Sequence, residues 1–309
     1  MDSVTEGALR LTALIDPVES AHGRRLVWLA EGADGSPAGT ASLRLLLGDG
    51  QRHLAEAEIR VHPAERRRGV ATRLLGALVD AAREDGRRSL VAQADEGSAG
   101  AGFLAARGFR TALALVYARL PLAEADMAAL HTEADTPRPG YRLVAWEGAV
   151  PETLAPSFVA SRRAMDDMPT GAVDHGTVKW DLERVRAAAA AVAARGELLH
   201  TVAAVDSADG TVAGFTELVV PGDGTGDAQH YGTGVLPEHR GHGLGRWMKA
   251  ASILHARERH PGLGGLLTDT ATTNPYMQRI NDDLGYRPVR TAHEYELDIS
   301  SWSGSAPAR

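Results

Sequence analysis

An eleven-residue motif occurs twice in the chain, and this repeat constrains the fold more than any other feature. Val61–Ala71 aligns without a gap on Val235–Gly245, 174 positions later, and both copies follow the pattern V-x-P-x-x-R-x-x-G-x-(G/A). Each copy runs into a segment with the apolar spacing of an amphipathic helix. One duplication of this kind predicts two related domains rather than a solenoid, which stacks several short repeats.

The composition excludes several classes of protein. The 309 residues have room for two domains of ordinary size, and the net charge of −7 argues against a nucleic-acid partner and favours a cationic or neutral polar substrate. The absence of cysteine excludes disulfides, thiolate metal sites and an acyl-cysteine intermediate. The histidines lack metal-ligand spacing, so no metal is expected. With no signal-like start and no run near 18 apolar residues, we predict a soluble cytoplasmic protein without a membrane partner.

The apolar patterns predict the same order of elements around each motif copy. In the first half we predict strands at 25–30, 39–47, 56–61, 89–94 and 113–120, and helices at 69–86 and 99–107. In the second half we predict strands at 141–146, 197–205, 211–220, 228–235, 265–270 and 289–299, and helices at 152–165, 180–195, 243–259 and 274–284. The predicted organisation is an abbreviated domain at 1–120, a linker at 121–140 and a full domain at 141–309.

The first domain is shorter than the second ahead of the motif. From Tyr141 to Arg240 is 99 residues, whereas from Leu9 to Arg66 is 57, a deficit of 42. The missing part corresponds to the two helices that follow the first strand of the second domain. We therefore expect the first domain to lack one wall of whatever site the second domain contains.

Each motif copy has the features of a phosphate-binding turn. Glycines let the backbone approach a ligand closely, and the first N–H groups of a helix are unpaired donors at the positive end of its dipole. The arginines and histidines of the turns add positive charge there. A Walker loop is excluded because no G-K-(S/T) follows, and a dinucleotide fold because there is no G-x-G-x-x-G.

The R-x-x-G-x-(G/A) turn after a strand ending in V-x-P resembles the acyl-CoA motif of the GNAT acetyltransferase superfamily. The following strand, the helix opening at Asn274 and the last strand also match, well over 141–299 and more loosely over 25–120. The resemblance implies an α/β fold of two tandem GNAT domains with mixed sheets, the first abbreviated. It also implies an acetyl-CoA-dependent N-acetyltransferase acting on a primary amine by direct attack in a ternary complex.

The resemblance also implies which residues meet acetyl-CoA. In the second domain these are Thr233, Gly234, Val235, Arg240, Gly241, His242, Gly243, Leu244, Gly245 and Asn274. In the first domain they are Ile59, Arg60, Val61, Arg66, Arg67, Arg68, Gly69, Val70 and Ala71.

Catalysis is expected in the second domain. The family commonly places a tyrosine acid seven residues after the helix-opening asparagine, but here Asn281 follows Asn274. In the first domain Gly97 and Leu104 occupy the same two places. With the acceptor-site helices also missing, the first domain is expected to be non-catalytic.

Two residues are candidate general bases, Glu217 on the strand beside the motif strand and His230 on the motif strand itself. Each has a plainer alternative, an outward edge of a half-exposed strand for Glu217 and a surface histidine for His230. Glu56 and Glu58 on the first motif strand are relics or supporting groups.

The acceptor amine is expected to meet Asp166 and Asp167, in the connection between the first two helices of the second domain, together with Trp180. The alternative for the two aspartates is a solvated acidic loop. Two other functions stay open, transfer of a longer acyl group to a peptide or natural-product amine and CoA binding without turnover. The acceptor is a small molecule or peptide, and a homodimer is left open.

Overall fold

The computed structural model describes residues 9–14, 23–48, 50–169, 171–173, 175–176 and 178–303. Its strands are β1 (Arg10–Leu14), β2 (Gly23–Glu31), β3 (Pro37–Leu46), β4 (Leu54–Val61), β5 (Ser89–Asp95), β6 (Arg110–Pro121), β7 (Tyr141–Glu147), β8 (Glu197–Asp206), β9 (Val212–Pro221), β10 (Gly226–Val235), β11 (Leu263–Ala271) and β12 (Arg287–Asp298). Its α-helices are α1 (Val70–Glu84), α2 (Ala99–Ala105), α3 (Met127–Asp135), α4 (Ala155–Ser161), α5 (Leu182–Ala194), α6 (Leu244–Arg259) and α7 (Pro275–Asp283). The predicted mixed α/β fold is confirmed.

The chain forms two compact units whose boundaries differ from the predicted ones. The first unit contains residues 1–114, 170–178 and 292–309, and the second contains 115–169 and 179–291. The segment 121–140, expected as a linker, contains α3, which packs on α6 in the second unit. The Trp247 indole N–H donates to the Ala134 carbonyl across this contact, 2.8 Å away. Sequence periodicity did not reveal α3 because the helix is short and buries little beyond Leu130.

The two units have sheets with the same strand order. The first runs β1-β2-β3-β4-β5-β12, and β4–β5 is a parallel pair. The second runs β7-β8-β9-β10-β11-β6, and β10–β11 is the corresponding parallel pair. By sequence β6 closes the first repeat and β12 the second, so each unit is completed by the other repeat's last strand. Each of these strands has 12 residues, and the boundary between the units falls inside it.

The core of the first unit lies between its sheet and α1. Leu74, Leu75 and Leu78 of α1 are fully buried, with Leu43 and Leu45 of β3 in the same cluster. Tyr295 and Leu297 of β12 belong to this cluster as well. The C-terminal strand therefore contributes to the N-terminal core.

A short segment of the later chain covers the other face of this sheet. Val173 is buried against Leu46 and Leu54, and the Ala172 N–H donates to the Ala112 carbonyl at 3.0 Å. Side chains alternate along a strand, so Leu46 lies on the face opposite α1-facing Leu45. The segment thus occupies part of the face that the abbreviated unit leaves without long helices.

The second unit has helices on both faces of its sheet. On one face α6 packs on Leu218 and Val220, and on the other α4 and α5 pack on Phe215 and Val219. Because α3 also packs on α6, the buried surface of α6 is wider than one stripe and includes Lys249 and Ile253. This arrangement places the carboxyl end of β10 between two helical layers.

Candidate active site

A gap opens in each sheet where the parallel strands diverge. In the second unit β10 and β11 pair from Gly226 to Gln229, and beyond that residue β10 continues to Val235 without a partner on that side. In the first unit the pairing of β4 with β5 ends at Ala57, four residues before Val61. Main-chain N–H and C=O groups along these edges can bind an extended amide-containing ligand laid between the strands.

A glycine turn and a helix N-terminus lie at the mouth of each gap. Gly243 is the residue before α6 with φ of 73°, and Gly69 is the residue before α1 with φ of 80°; neither helix start has a side-chain cap. A side chain at these φ values would be strained. A Cβ on Gly69 or Gly241 would meet nothing within 4 Å, so the space over the first turn and over the start of the second turn is open. The turns therefore fit a diphosphate held by unpaired helix N–H groups.

The basic residues of the turns are already partnered in part. Arg240 donates from Nε to the Val235 carbonyl at 3.0 Å and from its two terminal nitrogens to Asp167 at 2.6 and 2.9 Å. The Arg240 guanidinium holds the pKa of the Asp167 carboxyl below its usual value. Asp167, expected at the acceptor amine, is thus attached to the glycine turn.

Two further residues of the second turn lie near an aromatic side chain. The Tyr141 hydroxyl is 3.0 Å from His239 Nδ1, and the His242 ring lies 5.4 Å from the Tyr141 ring. In the first turn Arg68 pairs with Glu65 at 3.1 Å. Leu244 and Val70, the first helical residues after the two turns, are buried and anchor them.

An arginine from outside the motif also lies at the second turn. Arg138 Nε is 3.3 Å from the position that a Cβ on Gly243 would occupy. Glu133 pairs with Arg138 and, at 2.7 Å, with Arg246 in the first turn of α6. Sequence reasoning missed Arg138 because it lies in the segment taken as a linker.

Glu217 is held in a buried ion pair. Its carboxylate accepts two hydrogen bonds from Arg162, one of them 2.8 Å long, and the Glu217 residue is 8% exposed. The rings of Phe158, Trp180 and Phe215 surround the Arg162 guanidinium at 4.6 to 4.7 Å. The alternative of an outward edge position for Glu217 is wrong, and the pairing leaves its oxygens engaged rather than free to accept a proton.

His230 is buried on the opposite face of the sheet. The alternative of a surface histidine is wrong, since His230 is 5% exposed. Its Nδ1 lies 3.5 Å from the Thr216 hydroxyl, which is 2.7 Å from the Thr233 hydroxyl. Burial lowers the pKa of His230 well below its usual value, and the nearby Lys249 charge lowers it further. The ring is therefore neutral at physiological pH and able to accept a hydrogen bond.

A β-bulge at Tyr231 sets which side chains face each layer. The register with β9 shifts between His230 and Gly232. A Cβ on Gly232 or Gly234 would lie 3.0 to 3.1 Å from Met165, which follows Arg162 in a short 3₁₀ helix. The glycines thus let the acceptor-side layer approach β10 closely, while His230 and Thr233 face α6.

The remaining predicted residues of the second domain, Asp166 and Trp180 for the acceptor and Asn274 for the cofactor, have different surroundings. Asp166 is exposed at the end of the 3₁₀ helix, and Trp180 stacks on Arg162. Asn274 precedes α7 and accepts a hydrogen bond from the Met277 N–H at 3.2 Å. Asn281, seven residues later, points into the protein core, where it is 4% exposed.

A buried polar cluster under the gap was not predicted. Lys249 of α6 donates to the Asn281 amide oxygen at 2.7 Å, and the Asn281 amide nitrogen donates to Thr270 of β11 at 3.0 Å. Lys249 is 1% exposed and lies over the Tyr286 ring. One signal in the sequence pointed to it: the chain has 33 basic residues, of which only Lys179 and Lys249 are lysines.

Comparison with known proteins identifies the family. The family described as Acetyltransferase (GNAT) matches residues 4–109 and 173–286, which contain both glycine turns and most of both gaps. The curated mycothiol acetyltransferase of Nocardia farcinica is 31% identical over 276 residues, covering 85% of this chain and 80% of that protein.

Solved structures agree with this match. A tandem GNAT protein from the clavulanic acid biosynthesis pathway is 25% identical with a TM-score of 0.75, over 90% of this chain and 84% of that one. A GCN5-related N-acetyltransferase from Sphaerobacter thermophilus, 14% identical with a TM-score of 0.63 over 88% and 80% of the two chains, shows the fold alone. None of the described helices has the length and apolarity needed to cross a membrane. The chain belongs to the GNAT family of acetyltransferases and is a tandem N-acetyltransferase.

Proposed function

We propose that the second unit transfers an acetyl group from acetyl-CoA to a primary amine of a small molecule by direct attack in a ternary complex. The observation that carries this proposal is the gap beyond Gln229 together with the glycine turn before α6, where the helix start has no side-chain cap. The first unit binds CoA in its own gap without catalysing transfer, because it lacks the helical layer that α4 and α5 provide in the second.

The cofactor-binding roles follow from the main chain. Main-chain groups of Thr233, Gly234 and Val235 hydrogen-bond the pantetheine amides and polarise the thioester carbonyl. The amides of residues 240 to 245 bind the diphosphate, where charge and helix dipole favour an anion. Acetyl-CoA supplies the activated acyl carbon. Groups of this chain bind it and orient it.

His230 is the better candidate for accepting the amine proton. A neutral imidazole can take it through the hydroxyls of Thr233 and Thr216, which lie 2.7 Å apart. Glu217 is bound by Arg162 on the other face, so we assign it a supporting role that holds the 3₁₀ helix and Met165 against β10. Asp167 joins Arg240 to the acceptor side, and Asp166 and Trp180 line the approach of the amine.

We infer that the acceptor is a small molecule. The relative that acts in mycothiol acetylation and the structural neighbour from clavulanic acid biosynthesis both suggest a small amine rather than a protein. An amine panel with acetyl-CoA and a free-thiol readout tests the proposal. Thiol release that depends on one amine supports it, whereas tight acetyl-CoA binding without release for any amine favours a CoA-binding protein. Acyl-CoA donors of increasing length separate acetyl transfer from transfer of longer groups.

Replacing the proposed proton acceptor gives a second test. His230→Gln should lower kcat by about 10² to 10⁴ while acetyl-CoA binding is retained. Glu217→Gln should act mainly through weaker packing of the 3₁₀ helix. If Glu217→Gln removes the acidic limb of the pH profile, where a general base is protonated and inactive, and His230→Gln leaves that limb unchanged, the two roles are reversed.

A further inference from the structure

Lys249 is buried, which is an unusual position for a charged side chain. Of 33 basic residues in the chain, 31 are arginines, and the two lysines are exposed Lys179 and fully buried Lys249. An arginine keeps its charge at any accessible pH, whereas a buried lysine changes its protonation readily. The protein therefore has a titratable cation at the one buried basic position of α6.

Lys249 is connected to both sides of the cofactor gap. On the β11 side its Nζ reaches Thr270 through the Asn281 amide, and Thr270 lies past Leu267, where the pairing with β10 ends. On the β10 side both Lys249 and His230 lie beside Tyr286, with Lys249 Nζ 4.8 Å and the His230 ring 6.1 Å from the centre of the Tyr286 ring. The lysine thus lies beneath the point where the strands separate.

The surroundings of Lys249 leave its charge poorly compensated. Its hydrogen-bond partner is a neutral amide, and the aromatic ring of Tyr286 lies 4.8 Å from Nζ. The charged group that favours the ammonium is Asp269 on β11, but burial outweighs it and lowers the pKa of Lys249 to about 7. Burying an ammonium without a hydrogen-bonded carboxylate is costly, and a nearby anion offsets that cost.

Two other polar atoms of the cluster have no hydrogen-bond partner within the described residues. They are His230 Nε2 and the Tyr286 hydroxyl, on rings 6.1 Å apart. Burial raises the pKa of Tyr286 and lowers that of His230, so both side chains are neutral at physiological pH. Neither can therefore add a negative charge to that of Asp269.

The reaction itself creates such an anion in the gap. When the amine nitrogen bonds to the acyl carbon and the carbon–sulfur bond breaks, the sulfur leaves with the electron pair as a thiolate. The amine proton leaves by the route to His230, and the Lys249 proton stays in place. His230 thereby gains a positive charge, and the negative charge on sulfur is the one new anion above Lys249.

We propose that the ammonium of Lys249, lying beneath the gap, stabilises the thiolate of CoA as it leaves, and that the thiolate in turn holds the proton on Lys249. This inference rests on the proposed function, since it needs CoA in the second gap. By linkage, the two ionisations are coupled reciprocally. An opposite charge within a few ångströms shifts an ionisation by about one unit or more, which is about tenfold in the equilibrium constant.

The first measurement uses the wild-type chain with nitrogen-labelled lysine. With only two lysines, Lys179→Met assigns the Lys249 signal directly. The pKa of Lys249 is measured by NMR in complexes with CoA and with desulfo-CoA, which lacks the sulfur. We expect a value about one unit higher with CoA. Equal values in the two complexes would overturn the inference and leave the proposed function intact.

The second measurement follows the ultraviolet band of the bound CoA thiolate as pH is raised. The thiol should ionise at a pH about one unit lower in wild type and Lys179→Met than in Lys249→Met. Lys249→Arg should retain the low value because its charge is permanent. Equal values in all four proteins refute the charge effect. If neither CoA nor desulfo-CoA binds, the proposed function fails and this inference fails with it.

Discussion

The two gaps have similar backbones and different interiors. Beneath the second gap lie His230, Lys249 and Asn281, all buried and polar. At the offset of 174 residues, Lys249 corresponds to Leu75, which is fully buried in the apolar core of the first unit. Leu104, seven residues after Gly97 as Asn281 is after Asn274, occupies the place of Asn281. Both units thus have the gap and the glycine turn, whereas the buried polar side chains lie beneath the second gap. Since proton transfer needs such groups, chemistry is assigned to the second unit.

A local backbone irregularity adds to this difference. His230 precedes the bulge in β10 and faces the layer of α6, whereas β4 pairs with β3 without a bulge. Glu56, which corresponds to His230, pairs at 3.1 Å with Arg44 in an exposed position. Because β10 has one extra residue at the bulge, His230 is buried next to hydroxyl groups, whereas Glu56 forms an exposed ion pair.

The strongest test of the comparison places the same residue in both turns. Gly243→Glu should lower kcat/KM by about two orders of magnitude or more, because a carboxylate would occupy the diphosphate position. Gly69→Glu suffers a similar backbone strain at φ of 80° but should leave turnover largely intact. Steady-state kinetics and melting curves of both variants decide it. A folded Gly69→Glu protein without turnover, beside an active Gly243→Glu protein, would reverse the assignment.

The exchange of closing strands makes a prediction about stability. Leu297 and Leu120 are each 1% exposed, the former in the core of the first unit and the latter in the core of the second. Truncating either to alanine should cost about 2 to 5 kcal/mol. Hydrogen exchange should show that Leu297→Ala loosens α1 and Leu120→Ala loosens α6. The opposite pattern would mean that each strand completes its own repeat.

Removing the ion pair between Asp167 and Arg240 should change acetyl-CoA affinity modestly, through the second glycine turn. Asp167→Asn should free Arg240 for the diphosphate and tighten acetyl-CoA binding by up to about fivefold, the worth of an exposed pair. Calorimetric titration with acetyl-CoA measures this change. A higher KM for the amine with unchanged acetyl-CoA affinity would instead place Asp167 at the acceptor.

The smallest expected effect is a pH-dependent change in the stability of the first unit. Glu294, 3.6 Å from His175 Nε2, raises the pKa of that histidine above its usual value. Because the pKa of His175 is higher in the folded protein, its ion pair with Glu294 stabilises the fold fully below pH 6.5, the pKa of the unfolded state. This stabilisation is lost as the pH rises through the pKa of the folded state. His175→Gln should therefore lower the free energy of unfolding at acidic pH and leave it unchanged at alkaline pH. Urea titrations at several pH values test this, and a pH-independent difference would argue against an ionic contribution.

Most local structure could be predicted from the sequence. The predicted helices after Gly69 and Gly243 and the strands that precede them are present, because glycine turns and apolar spacing are local signals. The helix predicted at 152–165 instead ends at Ser161 and continues as a 3₁₀ turn. β1 and α3 were not among the predicted elements, since short segments carry little periodicity.

The candidate site was predicted less completely than the fold. The turns and the motif strand followed from the repeat, and His230 from its place on that strand. The pairing of Glu217 with Arg162 joins residues 55 positions apart, and no local pattern reports such a contact. Arg138 and Lys249 were missed for the same reason, since their roles depend on what lies across the turn and beneath the sheet.

By itself the sequence determined the duplication, the order of elements, the glycine turns and the absence of cysteine chemistry. These depend on residues near one another in the chain, whose spacing decides backbone conformation. Tertiary structure alone decided which closing strand completes which sheet and that Lys249 lies under the gap beside His230. Both depend on packing between distant segments, where burial and pairing energies outweigh local preference.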